Sequence, residues 1–125
     1  MNTITFFEIQ ASDVSKAISF YKDAFGWDFV KDNDLPIEYY RIEGGGINGG
    51  ILKRPTSTPP LGGGTNAFTC SMQVDSFDRV AEIIMKNGGQ VAMEKFAVPG
   101  KCWQGYFLDV DNNVFGIFEV DENAG

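Results

Sequence analysis

The chain has 125 residues, ten Lys/Arg against seventeen Asp/Glu, and a net charge of −7. Its length suits one ordinary domain, and 43% hydrophobic with 14% aromatic residues excludes disorder and supplies a core without disulfides or a structural metal. Nucleic acid and anionic membrane surfaces are excluded as partners, because both call for a basic footprint and the sole adjacent basic pair is Lys53-Arg54.

There is no histidine. That removes the commonest general base and the commonest ligand for transition metals. Cys70 and Cys102 lie too far apart for a CxxC redox pair, so two reduced cysteines in a cytoplasmic protein are expected. The N-terminal residues show no basic segment leading into an apolar stretch, and no apolar run reaches membrane-spanning length.

Residues 3–10 alternate as a strand, with Phe7 and Ile9 on one face and Phe6 and Glu8 on the other. Ser12 or Asp13 can then cap a helix whose Val14, Ala17, Ile18, Tyr21 and Phe25 recur at helical spacing, with Gly26 as the stop. WDFVK, EYYRIE and GGILK follow as three short strands. Residues 54–66, rich in Pro, Gly, Ser and Thr, read as a linker.

After the linker the pattern restarts. Phe68, Cys70, Met72 and Val74 alternate with Thr69, Ser71 and Gln73. Asp75 or Ser76 can cap a second helix with Phe77, Val80, Ala81 and Ile84 at core spacing, stopped by Asn87-Gly88-Gly89. QVAMEKF, KCWQGYFLD and NVFGIFEV close the chain as strands. An offset of about 63 residues superposes the halves, carrying Phe6 onto Thr69, Glu8 onto Ser71, Ala17 onto Val80 and Gly26 onto Gly89. The pattern predicts an α+β fold of two tandem β-α-β-β-β modules in a curved, mostly antiparallel eight-stranded sheet. Module bounds fall at 1–53 and 67–120, with a tail at 121–125, all in a single domain.

The stretch FFEIQASDVSKAISFYKDAFGW, with Phe20-Tyr21 and Phe25-Gly26-Trp27, resembles the opening of the glyoxalase / bleomycin-resistance / extradiol-dioxygenase proteins, the vicinal oxygen chelate superfamily. LDVDNNVFGIFE resembles the D-P-D-G-N-x-F-G-L ending of that family, departing at Val110 and Asn112, where asparagine can still turn a hairpin. The resemblance implies a cupped eight-stranded sheet around a cavity, often completed by dimerisation, and a homodimer is expected.

In metal-dependent members of that family four His or Glu ligands come from four strands. By the resemblance these positions fall on Phe6, near Gly50 in the fourth strand, on Thr69 and on Gly116. None carries a ligand, and residues 44–74 contain no Asp, Glu or His in any register. Glu119 lies an odd number of residues from Gly116 and should face the other way. No metal and no cofactor is expected, since one carboxylate cannot replace three or four protein ligands.

Glu8 is the sharpest candidate for a catalytic or cation-binding carboxylate; paired with a base such as Arg41, or wetted at a rim, it is only structural. Thr69, Ser71 and Gln73 form a polar stripe that either contacts a ligand or is the solvated side of a sheet. The expected pocket comprises Phe6, Glu8, Arg41, Thr69, Ser71, Gln73, Trp103, Tyr106, Gly116 and Phe118, although strand aromatics are as readily core. The glycine runs at 44–46, 49–50 and 62–64 lack a following Lys-Ser/Thr and read as turns, and Cys102 has no histidine to activate it.

Three functions remain open at this point. One is a metal-free small-molecule binding protein of the resistance type, for a cationic or aromatic ligand. The second is a metal-independent lyase or isomerase with Glu8 as base. The third is a protein-interaction module whose cup is filled by its own side chains.

Overall fold

The computed structural model describes residues 1–58 and 66–125. Its elements follow the expected order: β1 (Thr3–Ala11), α1 (Val14–Phe25), β2 (Asp28–Lys31), β3 (Tyr39–Glu43), β4 (Asn48–Lys53), β5 (Thr69–Gln73), α2 (Phe77–Lys86), β6 (Gln90–Val98), β7 (Cys102–Leu108) and β8 (Val114–Val120). The strands form an open, mostly antiparallel sheet accompanied by two helices, an α+β fold. The expected linker runs through Pro59–Thr65, and those residues, with the 62–64 glycine run, lie outside the described residues.

The chain divides into two compact units, Phe6–Phe68 and Thr69–Gly125 together with Met1–Thr5. In the first, the strand order is β2-β3-β4-β1, with β1 parallel to β4 and the other pairs antiparallel. Asp13 caps α1 by accepting from the Lys16 N–H at 3.0 Å. Gly26 ends the helix at φ 73°, a left-handed conformation that costs glycine little. Ala17, Ile18 and Tyr21 of α1 pack on a core of Phe7, Ile9, Ala11, Val14, Ile42 and Ile51. All but Val14, which opens α1, are the inward residues of β1, β3 and β4, as alternation requires.

The second unit repeats the plan. Its order is β5-β8-β7-β6, with β5 parallel to β8. Ser76 caps α2, and Glu119 of β8 accepts a 2.7 Å hydrogen bond from the first N–H of that helix, at Phe77. Glu119 therefore does face away from the side of Gly116, where a free amide of the helix N-terminus attracts its charge. Val74, Phe77, Phe107 and Ile117 form the core, joined by Met72, Val80, Ala81 and Ile84. Asn112 turns the last hairpin at φ 62°, and the Asp109 carboxylate accepts from the N–H groups of Asp111 and Asn113 at 2.8 and 2.9 Å.

One local expectation is corrected. Phe68, expected on the β5 core face, lies before the strand begins and packs its ring on Phe7 and Tyr21 of the first unit. The chain end at 121–125 packs back on the second unit, where Ala124 is buried and its carbonyl accepts from Gly100 N–H at 2.9 Å. Among the described residues, no helix is long and apolar enough to cross a membrane.

Candidate functional site

Each unit has a sheet face turned away from its helix. On β1 of the first unit, Phe7 and Ile9 point to the core, so Phe6 and Glu8 point the other way. Register brings Gly50 of β4 beside Glu8, and Arg41 of β3 beside Gly50. Tyr39, two residues from Arg41 and on the same face, reaches back across the glycine. Its phenol donates to a Glu8 carboxylate oxygen at 3.0 Å.

Gly50 is what permits this. A Cβ at that position would collide with the Tyr39 ring and hydroxyl, so only glycine lets the phenol cross the strand. Tyr39 is 7% exposed although it is absent from the helix-side core. Phe6 and Arg41 line a depression of about 270 Å³ with Ile42, Glu43, Asn48 and Gly49. Thus Phe6, Glu8 and Arg41 share one face, and Glu8 sits on a fixed donor.

The second unit has the same geometry with different groups. Gly116 of β8 stands between Ser71 of β5 and Tyr106 of β7. Gln104, two residues from Tyr106, donates to the Ser71 hydroxyl at 3.4 Å and to its neighbour's carbonyl, at Gly105, at 3.3 Å. A Cβ at Gly116 would strike the Ser71 hydroxyl and the Gln104 amide. Gln73 and Phe118 are register partners on this face, and Thr69 lies two residues before Ser71 on the same strand. The Tyr106 ring stacks on Phe96 with centroids 6.4 Å apart.

Trp103 departs from expectation. It alternates with Gln104, so it turns to the helix side and packs against the α2 core. There its indole N–H donates to Asp121 at 3.0 Å, and the Lys95 ammonium sits 4.8 Å above its ring. Trp103 is a packing residue of the α2 side.

Tyr39, Gln104 and the two glycines were not singled out as a set from sequence. A signal existed: a glycine inside a strand, flanked by register partners that carry polar groups, marks a close approach. Reading it requires the register between non-adjacent segments, which sequence periodicity does not supply. Cys102 lies in the second unit half-buried, and burial pushes its thiol up, with Lys101 partly opposing. Such a thiol is poorly ionised near neutrality.

Residues 3–117 match the family model described as the Glyoxalase/Bleomycin resistance protein/Dioxygenase superfamily. The chain belongs to that superfamily. Among curated proteins it is 26% identical over 126 residues to proteins of Mycobacterium tuberculosis and Mycobacterium bovis that both carry the name "Putative glyoxylase CFP32". The match takes in 94% of this chain and 46% of theirs, so the chain spans about half the length of those relatives. Among solved structures, protein BH1468 of Bacillus halodurans superposes with a TM-score of 0.68 at 17% identity, covering 98% of this chain and 97% of that one. Streptomyces coelicolor methylmalonyl-CoA epimerase superposes at 0.62 with 13% identity, covering 99% and 98%. Both likenesses concern the fold, which hosts many chemistries.

Proposed function

We propose that this superfamily member is a metal-free small-molecule binding protein whose ligand is recognised on the faces turned away from the helices. The observation that carries the proposal is the Tyr39–Glu8 hydrogen bond across Gly50. It holds one carboxylate in a defined orientation on the face that also carries Phe6 and Arg41, which line a depression large enough for part of a small molecule. A cationic or aromatic ligand suits that chemistry: the carboxylate supplies charge, and the rings supply apolar area.

The divalent ion used by metal-dependent members does not fit the side chains present. The corresponding positions carry a phenyl ring at Phe6, a hydroxyl at Thr69 and no side chain at Gly50 and Gly116. The space before the glycines is taken by Tyr39 in one unit and by Ser71 and Gln104 in the other. Among the described residues no three His, Cys, Asp or Glu are grouped to hold an ion. A hard or borderline cation needs several such donors at once.

The protein acts as a homodimer in this account, since among the described residues the outer edges of β2 and β6 carry no partner strand and closed two-fold pairing is the commonest assembly. A second reading, a metal-independent lyase or isomerase, draws on the same pair, because a carboxylate oriented by a buried phenol is placed as a base.

The deciding variant is Glu8→Gln, which keeps an acceptor for the Tyr39 hydroxyl and removes only the charge. Calorimetric titration of wild type with a panel of cationic and aromatic compounds finds binders, and Glu8→Gln weakens the cationic ones about tenfold or more. Equal affinity in the variant removes Glu8 from the account. Turnover of any binder by wild type, lost in Glu8→Gln, favours the enzymatic reading.

A further inference from the structure

We propose a second site, for a phosphate-type oxyanion, where β4 ends beside the start of α1 in the first unit. It is an open depression of about 550 Å³ lined by Ser12, Lys53, Arg54, Pro55, Thr56 and Ser57. In a chain of net charge −7, this is where its only two consecutive cations fall, and residues 44–74 around them contain no carboxylate. Neither Lys53 nor Arg54 forms an ion pair among the described residues.

The guanidinium is held, but by neutral groups. Arg54 Nη2 donates to the Gln10 carbonyl at 3.0 Å and to the Asn66 side-chain oxygen at 3.3 Å, and its backbone N–H donates to the Ala11 carbonyl at 3.0 Å. Its Nε is buried and has no hydrogen-bond partner among the described residues. The side chain is thus fixed while its charge stays uncompensated, an arrangement that favours an anion over an empty surface.

Hydroxyls surround the pair. Ser12 and Thr58 hydrogen-bond to each other at 3.2 Å, folding the segment after Arg54 back onto the chain that enters α1. Thr56 and Ser57 are carried on that fold, beside Lys53 and Arg54. Two cations and three hydroxyls match the several acceptor oxygens of a phosphate group better than the two of a carboxylate. The Asp13 carboxylate next to Ser12 opposes an anion, but its Oδ1 is engaged with the Lys16 N–H. The site lies apart from Glu8 and Tyr39, so it stands or falls independently of the reading proposed above.

The test is a titration of the full chain with inorganic phosphate, and separately with acetate, at constant ionic strength, followed by amide NMR shifts. Saturable shifts at Ser12, Arg54, Thr56 and Ser57 with phosphate, and none with acetate, are the expected result. Lys53→Gln, an exposed substitution that leaves the Arg54 contacts intact, then weakens phosphate binding about tenfold. Raising salt from about 50 to about 200 mM weakens it further. Non-saturating shifts with phosphate, equal response to acetate, or unchanged affinity in Lys53→Gln each overturn the proposal.

Discussion

Tyr39 and Glu8 are joined by a 3.0 Å hydrogen bond across Gly50, and Gln104 is joined to Ser71 in the same way across Gly116. The two units share a device and differ in its chemistry. A parallel strand pair brings a polar residue beside a glycine, and the neighbouring antiparallel strand reaches over that glycine to meet it. In the first unit the pair is a phenol and a carboxylate; in the second it is an amide and a hydroxyl. Beside its glycine the first unit therefore carries the charge of Glu8, with Arg41, Glu43 and Asp28 on the same face, while the pair in the second unit is neutral.

The first prediction concerns the pair itself. Tyr39→Phe removes the donor and keeps the ring, leaving Glu8 without the phenol. Stability should fall by about 1–2 kcal/mol, read as a lower urea midpoint with unchanged slope. An unchanged midpoint contradicts the hydrogen bond as a stabilising contact.

The glycines respond unequally. Gly50→Ala pushes a methyl into a buried, rigid Tyr39 ring and should cost about 1–3 kcal/mol. Gly116→Ala meets a Ser71 hydroxyl and the far end of a Gln104 side chain, which can rotate away, so its cost should be smaller. Thermal unfolding of the two variants checks the order. The effects of Gly50→Ala and Tyr39→Phe should not add, because they act on one contact.

Much of this fold is legible in the sequence. Ser12-Asp13 and Asp75-Ser76 announce the helix starts, the second of each pair being the cap, Gly26 announces a stop, and alternation in FFEIQA and TCSMQV assigns faces correctly. Trp103 shows where that reading stops. The strand holding it is aromatic on both faces, so composition does not say which face meets α2; parity with Gly105 and Phe107, which pack inward, does. Phe68 shows a second boundary, since its core partners lie about 45 to 60 residues away and only the folded chain brings them together. The Tyr39–Glu8 pair was hidden for the same reason, being a matter of register between strands 31 residues apart in sequence.

Glu119 supports a third prediction. Its carboxylate caps α2 through the Phe77 N–H at 2.7 Å. Glu119→Ala leaves that N–H without its acceptor, while Ser76 still serves Arg79. The loss should be about 0.5–2 kcal/mol, with hydrogen exchange at Phe77 accelerated more than at the centre of α2. Equal acceleration along the helix would sink the capping role.

A fourth prediction follows the last hairpin. Hydrogen bonds from Asn113 and Asp111 hold the Asp109 carboxyl below its usual range. The depressed folded pKa means that the ionised form favours the native turn. Its contribution is complete above the unfolded value of about 3.9 and is lost as pH falls through the lower folded value. Carbon-detected NMR should show Asp109 titrating below the ordinary aspartate value. Titration at or above the ordinary value contradicts the hydrogen-bonded turn.

The most direct measurement of the central claim is a thermal-shift comparison of the whole protein with divalent nickel, zinc and manganese against a panel of cationic and aromatic small molecules. A ligand at a hundred times its Kd adds about 2.7 kcal/mol of folding stability, an easily visible rise in Tm. The account predicts a rise with one or more organic compounds and none with the metals. A clear, saturable rise with any of the metals at equimolar concentration would contradict a metal-free site on the Glu8 and Ser71 faces.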